Sequence, residues 1–80
     1  MKEVKLKFPF DFEGQRIDRI TIRPAKLREV KEAEERFGKE GLQRSIYLLS
    51  KVSGLPIEAI EQMTEPDFLK VMEEYNDFFN

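Results

Sequence analysis

Three serines, Ser45, Ser50 and Ser53, are the candidate nucleophiles of this sequence. A serine needs a general base beside it, and the 80 residues contain no histidine to fill that role. They also contain no cysteine, which excludes thiolate chemistry, disulfides and soft metal ligands. We therefore interpret the three serines as residues on helix faces and expect no enzymatic activity.

Adjacent carboxylates, Glu34 with Glu35 and Glu73 with Glu74, are the candidates for acid–base chemistry or for binding magnesium. Neighbouring residues on a helix do not face each other, so neither pair converges on one ion. The glycines within residues 38–41 lack the Gly-Lys-Ser/Thr that makes a phosphate-binding loop. The sequence predicts no catalytic residue, no metal site and no cofactor.

The composition is that of one small folded domain, because 40% of the residues are apolar and 38% are charged. No apolar run approaches the roughly 20 residues of a membrane span. The opening residues, Met1 to Val4, do not resemble a signal peptide. We expect a soluble intracellular protein of a single domain over residues 1–80, with no membrane association.

Apolar residues alternate with polar ones in two short runs, as in strands with one buried face. The alternating residues are Val4, Leu6, Phe8 and Phe10 in the first run and Ile20 and Ile22 in the second. Gly14 suits the turn between them, so the pattern predicts a β-hairpin over about residues 4–23. Because Ile17 is out of phase, either a bulge lies near Asp18 and Arg19 or Ile17 caps the turn from the other side.

A hairpin alone is marginally stable, so its inner face must be covered by this chain's helices or by another chain. We expect that face to consist of Val4, Leu6, Phe8, Ile20 and Ile22. Pro9 cannot donate to a strand ladder, so we expect either that the first strand lies at an edge or that the Pro9 nitrogen faces outward. Such an edge is one candidate surface for a partner.

The remainder of the chain predicts helices over about residues 26–37, 41–53, 56–63 and 65–79, which makes the fold class α+β. Gly54 suits the end of the second helix, and Pro56 the start of the third. Thr64 is the expected N-cap of the last helix, with the Asp67 carboxylate reaching back to it.

Charge is unevenly distributed along the chain, since residues 1–28 carry +4, residues 29–56 carry 0 and residues 57–80 carry −6. Such a dipolar chain could associate with a second copy of itself or with an acidic partner. The basic residues of the hairpin also offer an alternative function, that of a small regulatory protein that binds nucleic acid through the hairpin's outer face. Those residues are Lys5, Lys7, Arg19 and Arg23. The net charge of −2 makes nucleic acid the less favoured partner.

Three stretches of the chain, Ile20–Pro24, Val52–Ile60 and Pro66–Leu69, resemble in their order and spacing the tail assembly chaperone family of contractile-tailed bacteriophages. Ile20–Pro24 is similar to that family's Leu-Thr-Leu-Arg with a nearby proline, and Val52–Ile60 to its Leu-Thr-Gly-Leu-Pro segment. Pro66–Leu69 is similar to its aspartate-led last helix. The chain departs from the family at 28–29, where Arg-Glu replaces the frequent Gly-Asp. Nearly the whole chain is covered by the resemblance.

The resemblance implies a chaperone without enzymatic activity that binds the tape-measure protein and keeps it soluble until the tail tube polymerises. It implies a location in the host cytoplasm and not in the mature virion. It also implies a frameshift-extended form of the same chaperone as a second partner, this chain being the short form.

The last helix is the predicted partner-binding element, because it carries a stripe of aromatic residues that could cover an apolar stripe of the tape-measure protein. Phe78 and Phe79 are adjacent and cannot both face one core, so at least one of them should stay exposed. The residues predicted to make the contact are Val71, Tyr75, Phe78 and Phe79.

Overall fold

A computed structural model describes residues 1–80 as an antiparallel hairpin followed by four helices. This order confirms the predicted α+β class. The strands are β1 (Lys2–Phe12) and β2 (Gln15–Ile22), and the helices are α1 (Leu27–Phe37), α2 (Leu42–Ser53), α3 (Ile57–Ile60) and α4 (Glu65–Asn76), with a single 3-10 turn at Asp77–Phe79.

The hairpin turn consists of Glu13 and Gly14, which both have positive φ angles, 48° and 80°. Two such residues in a row form the tight turn whose twist matches that of the flanking strands. The strands are paired only with each other, so each retains an edge without a strand partner. The placement of Pro9 in an edge strand is thereby confirmed.

A large bulge interrupts β1 and explains why Ile17 is out of phase. Lys5 pairs with Arg19 and Phe10 pairs with Ile17, so residues 6–9 of β1 lie opposite Asp18 alone. Of the two alternatives the bulge is therefore correct, although the extra residues belong to β1 and not to β2. The bulge also turns Phe8 outward, to 48% exposure, so its predicted place on the inner face is wrong.

The main core lies between the inner face of the hairpin and the helices α2, α3 and α4. Its buried residues are Val4, Leu6, Ile20, Ile22, Leu49, Val52, Ile60, Val71 and Tyr75. A second, smaller cluster joins α1 to α2 and consists of Ala33, Tyr47 and Leu48. The chain's own helices therefore cover the hairpin.

Two helices are shorter than their apolar patterns predicted. The α3 helix ends at Ile60, because the residues after it form hydrogen bonds to the carbonyl three residues earlier instead of four. The Gln62 amide donates to Ala59 O and the Met63 amide to Ile60 O. The α4 helix ends at Asn76 and continues as a 3-10 turn. Tightening of this kind is common at helix ends because it satisfies carbonyls left without an α-helical partner.

Candidate protein-binding groove

The α4 helix is anchored at its start by Asp67, whose side chain is only 2% exposed. Its two carboxylate oxygens accept hydrogen bonds from consecutive backbone amides of the β1 bulge, Lys7 N at 2.9 Å and Phe8 N at 2.8 Å. The Thr64 hydroxyl accepts from the Asp67 amide at 3.4 Å, which confirms the N-cap. The Asp67 carboxylate does not reach back to Thr64 as predicted, since the bulge offers two donors that lack strand partners.

The anchor fixes which side of α4 faces the core. Val71 is fully buried and Tyr75 is 7% exposed, both against the hairpin and α2. These two predicted contact residues therefore support the helix from inside, and Val71 has no surface to offer a partner. Burying one carboxylate is tolerated here because both of its oxygens are hydrogen-bonded.

Arg23 anchors the start of α1, as Asp67 anchors the start of α4. Its guanidinium donates to both carboxylate oxygens of Glu29, at 2.9 and 2.8 Å, and also to the carbonyls of Pro24 and Lys51. The Glu29 carboxylate also accepts from the Lys26 amide at 2.9 Å. The Arg23 hydrogen bonds, followed by the Lys26 amide, lower the pKa of Glu29 from 4.5 to about 2. The end of β2, the start of α1 and the end of α2 are thereby joined.

An apolar groove opens between α4 on one side and α1 and α2 on the other. Its wide part encloses about 710 Å³ and its narrow part, toward α3, about 280 Å³. The two parts share Leu42, Phe68 and Leu69, so they form one continuous surface. The α2 and α4 backbones stay apart here, although their side chains meet in the core beneath.

Four large apolar side chains line this groove and remain mostly in contact with water. They are Leu27 (86% exposed), Leu42 (63%), Leu69 (58%) and Phe79 (77%). Single exposed leucines are ordinary on protein surfaces, but several around one concave surface indicate an interaction site. We name this surface the α2–α4 groove.

The four residues predicted from sequence occupy different places. Phe79 lines the groove and is exposed, as expected of one member of the adjacent pair. Tyr75 forms part of the groove floor. Phe78 is half-buried on the other side, where its ring lies 6.0 Å from that of Tyr75 and the Lys2 ammonium lies 5.3 Å from its centroid. Val71 and Phe78 therefore lie outside the groove.

Three groove residues were missed by the sequence patterns. Leu27 and Leu42 are the first residues of α1 and α2 and fit the apolar spacing of those helices, but the structure leaves this end of each apolar stripe uncovered. Leu69 lies off the stripe of α4, and that position was the available signal. An apolar residue on the otherwise polar side of an amphipathic helix suggests a second contact surface.

The hairpin's outer face carries no continuous basic surface. Arg19 is paired with Glu3 at 3.4 Å and with Asp18 at 3.1 Å, while Arg23 is occupied by Glu29. Of the four basic residues predicted to line this face, Lys5 and Lys7 form no salt bridge. Carboxylates interspersed among cations reduce the attraction for phosphates, so this face does not favour nucleic-acid binding.

No helix of the chain has the length and apolar character needed to span a membrane.

Comparison with protein families gives one match that covers almost all the chain. The family described as phage tail assembly chaperone proteins, E, or 41 or 14, matches residues 3–80. No curated protein and no solved structure gives a significant match.

Proposed function

The chain belongs to the family of phage tail assembly chaperone proteins, and on that premise we propose that it binds the tape-measure protein through the α2–α4 groove. In this proposal it keeps that protein soluble until the tail tube polymerises. It acts by binding alone, without catalysis, in the host cytoplasm, and it leaves before the virion is complete.

One observation carries the proposal, namely the four apolar side chains that stay 58–86% exposed around a single groove. Grooves lined by helices and apolar residues bind amphipathic helices, which insert their apolar stripe. A long, largely helical tape-measure protein exposes such stripes before the tube surrounds it. Covering them removes the surface through which it would aggregate.

Co-expression with the tape-measure protein of the same phage tests the proposal directly. We expect that protein to become soluble and to co-elute with the chaperone, with the stoichiometry measured by light scattering. A tape-measure protein that stays insoluble beside an excess of folded chaperone would overturn the proposal.

The groove itself is tested by the double substitution Leu69→Ser and Phe79→Ser. Both side chains are exposed, so the folded state should survive, while the complex should weaken by about 10- to 100-fold because two apolar contacts are lost. Phe8→Ser is the matched control, since Phe8 is a 48% exposed aromatic residue on the hairpin, outside the groove. Equal affinity of the double variant and the control would exclude the groove as the binding surface.

A further inference from the structure

The two ends of the α2–α4 groove carry opposite charge. Glu61 and Glu65 line the narrow end, are exposed and form no salt bridge. Arg44 lines the wide end, together with Leu27 and Phe79. The two parts share the apolar residues Leu42, Phe68 and Leu69, so an apolar surface connects the acidic part with the basic part.

The guanidinium of Arg44 is incompletely paired within the chain. Its nearest carboxylate contact, from Nη2 to Glu34 Oε2, measures 3.9 Å, the outer limit of an ion pair. Its Nε is buried and has no hydrogen-bond partner. The side chain as a whole is 23% exposed, so part of it remains open to contact with an incoming group. Arg44 is therefore suited to receive an acidic side chain from a bound partner.

From these observations we infer that the groove selects an amphipathic helix of the tape-measure protein by charge, and holds it in one direction. The partner helix carries an acidic residue at the end that meets Arg44 and basic residues at the end that meets Glu61 and Glu65. The apolar stripe between them fills the groove. The inference rests on the proposed function and specifies the partner segment, because opposite charges at the two ends make the reversed orientation repulsive.

Synthetic helices with defined end charges test the inference directly. Three peptides share one apolar stripe: one has Lys at one end and Glu at the other, one has Lys at both ends, and one has Glu at both. We expect the mixed-end peptide to bind the full chain about five- to tenfold more tightly than either other, by fluorescence anisotropy at low salt. Raised salt should narrow the difference.

Charge reversals at each end should switch the preference. Glu61→Lys with Glu65→Lys makes both ends basic and should favour the peptide with two Glu ends, whereas Arg44→Glu should favour the peptide with two Lys ends. Glu58→Lys with Glu73→Lys is the matched control, since it changes the net charge equally at exposed positions that do not line the groove. That control should retain the wild-type order.

Binding of all three peptides within about twofold would overturn the inference, as would a wild-type preference for a peptide with like ends or no binding of any peptide. A control variant that switches like the groove variants would also overturn it, because net charge alone would then decide. These results are independent of co-elution with the tape-measure protein. Failure of the charge inference can thus be told apart from failure of the proposed function.

Discussion

The two sides of the α4 helix differ in how far their side chains are buried and hydrogen-bonded. Toward the hairpin, a buried carboxylate has both oxygens hydrogen-bonded, and Val71 and Tyr75 are packed in the core. Toward the groove, Leu69 and, in the 3-10 turn that follows the helix, Phe79 are exposed to water. The hairpin side stabilises the fold through hydrogen bonds and burial. The groove side leaves apolar area in contact with water and contributes little to stability. In the proposed function, the partner binds on the side of α4 that contributes little to stability.

The largest expected effect comes from removing the Asp67 carboxylate, which anchors α4 to the β1 bulge. Asp67→Ala should lower the free energy of unfolding by about 3–5 kcal/mol, because two charge-assisted hydrogen bonds disappear and two bulge amides lose their acceptor. Urea denaturation measures the change. Glu73→Ala, an exposed acid on the same helix without a salt bridge, should cost less than about 0.5 kcal/mol. A loss below about 1 kcal/mol for Asp67→Ala would mean that water replaces the carboxylate.

Two substitutions to alanine, one on each side of α4, compare the contributions of the two sides to stability. Val71→Ala should destabilise the fold by about 2 kcal/mol, since it opens a cavity in the core. Leu69→Ala should change stability by less than about 0.5 kcal/mol and weaken only the complex with the tape-measure protein. Thermal unfolding together with co-elution separates the two effects. Comparable destabilisation by both substitutions would show that the groove side is part of the core after all.

The α1 side of the groove is held in place by a second anchor, the Arg23–Glu29 ion pair beside Leu27. Glu29→Gln should cost about 1–2 kcal/mol at pH 7, a value reduced by the partial exposure of Arg23. Because the pKa of Glu29 is lowered from 4.5 to about 2 on folding, the ionised form favours the folded state. The contribution is complete above about pH 4.5 and is lost as the pH falls toward 2.

Unfolding of the wild type and Glu29→Gln between pH 7 and pH 2 measures this linkage. The stability difference should shrink over that range and nearly vanish at its acid end. A difference that stays constant with pH would show that Glu29 acts by packing and not by charge.

The smallest expected effect concerns the cap of α4. Thr64→Ala should cost about 0.5–1 kcal/mol, the lower part of the range for N-caps, because its hydrogen bond to the Asp67 amide is long, at 3.4 Å. Thr64→Ser retains the hydroxyl and should restore most of the loss in the same denaturation experiment. A loss as large as that of Asp67→Ala would mean that the cap, and not the bulge contact, is the main anchor.

Local patterns in the sequence were sufficient for most of the fold. Alternation predicted the hairpin, helical spacing predicted the helices, and Thr64 marked the start of α4. The pattern failed at Phe8, because a bulge shifts the phase of alternation and no local rule marks its position. It failed again at Asp67, whose partners lie about 60 residues away in β1, a distance that a local capping rule does not consider.

The candidate groove was less accessible to sequence reasoning. The exposure of Phe79 followed from its adjacency to Phe78, since one helix face cannot bury both. Leu27 and Leu42 fit apolar stripes as well as any core residue, and only the arrangement of the helices decides that the ends of those stripes stay open. The opposed charges of Arg44 and Glu61 are brought to one groove by tertiary structure alone.

The hydrogen bonds from Lys7 and Phe8 to Asp67 also constrain the order in which the molecule can be assembled during synthesis. The hairpin is synthesised before the helices that cover its inner face, and that face is fully covered only after α4 has been translated, about 60 residues later. Contacts this distant in sequence slow folding, because the loop between them must close before they form. Each nascent chain therefore carries an incompletely covered hairpin until α4 has been made, and crowded polysomes should promote its misassembly.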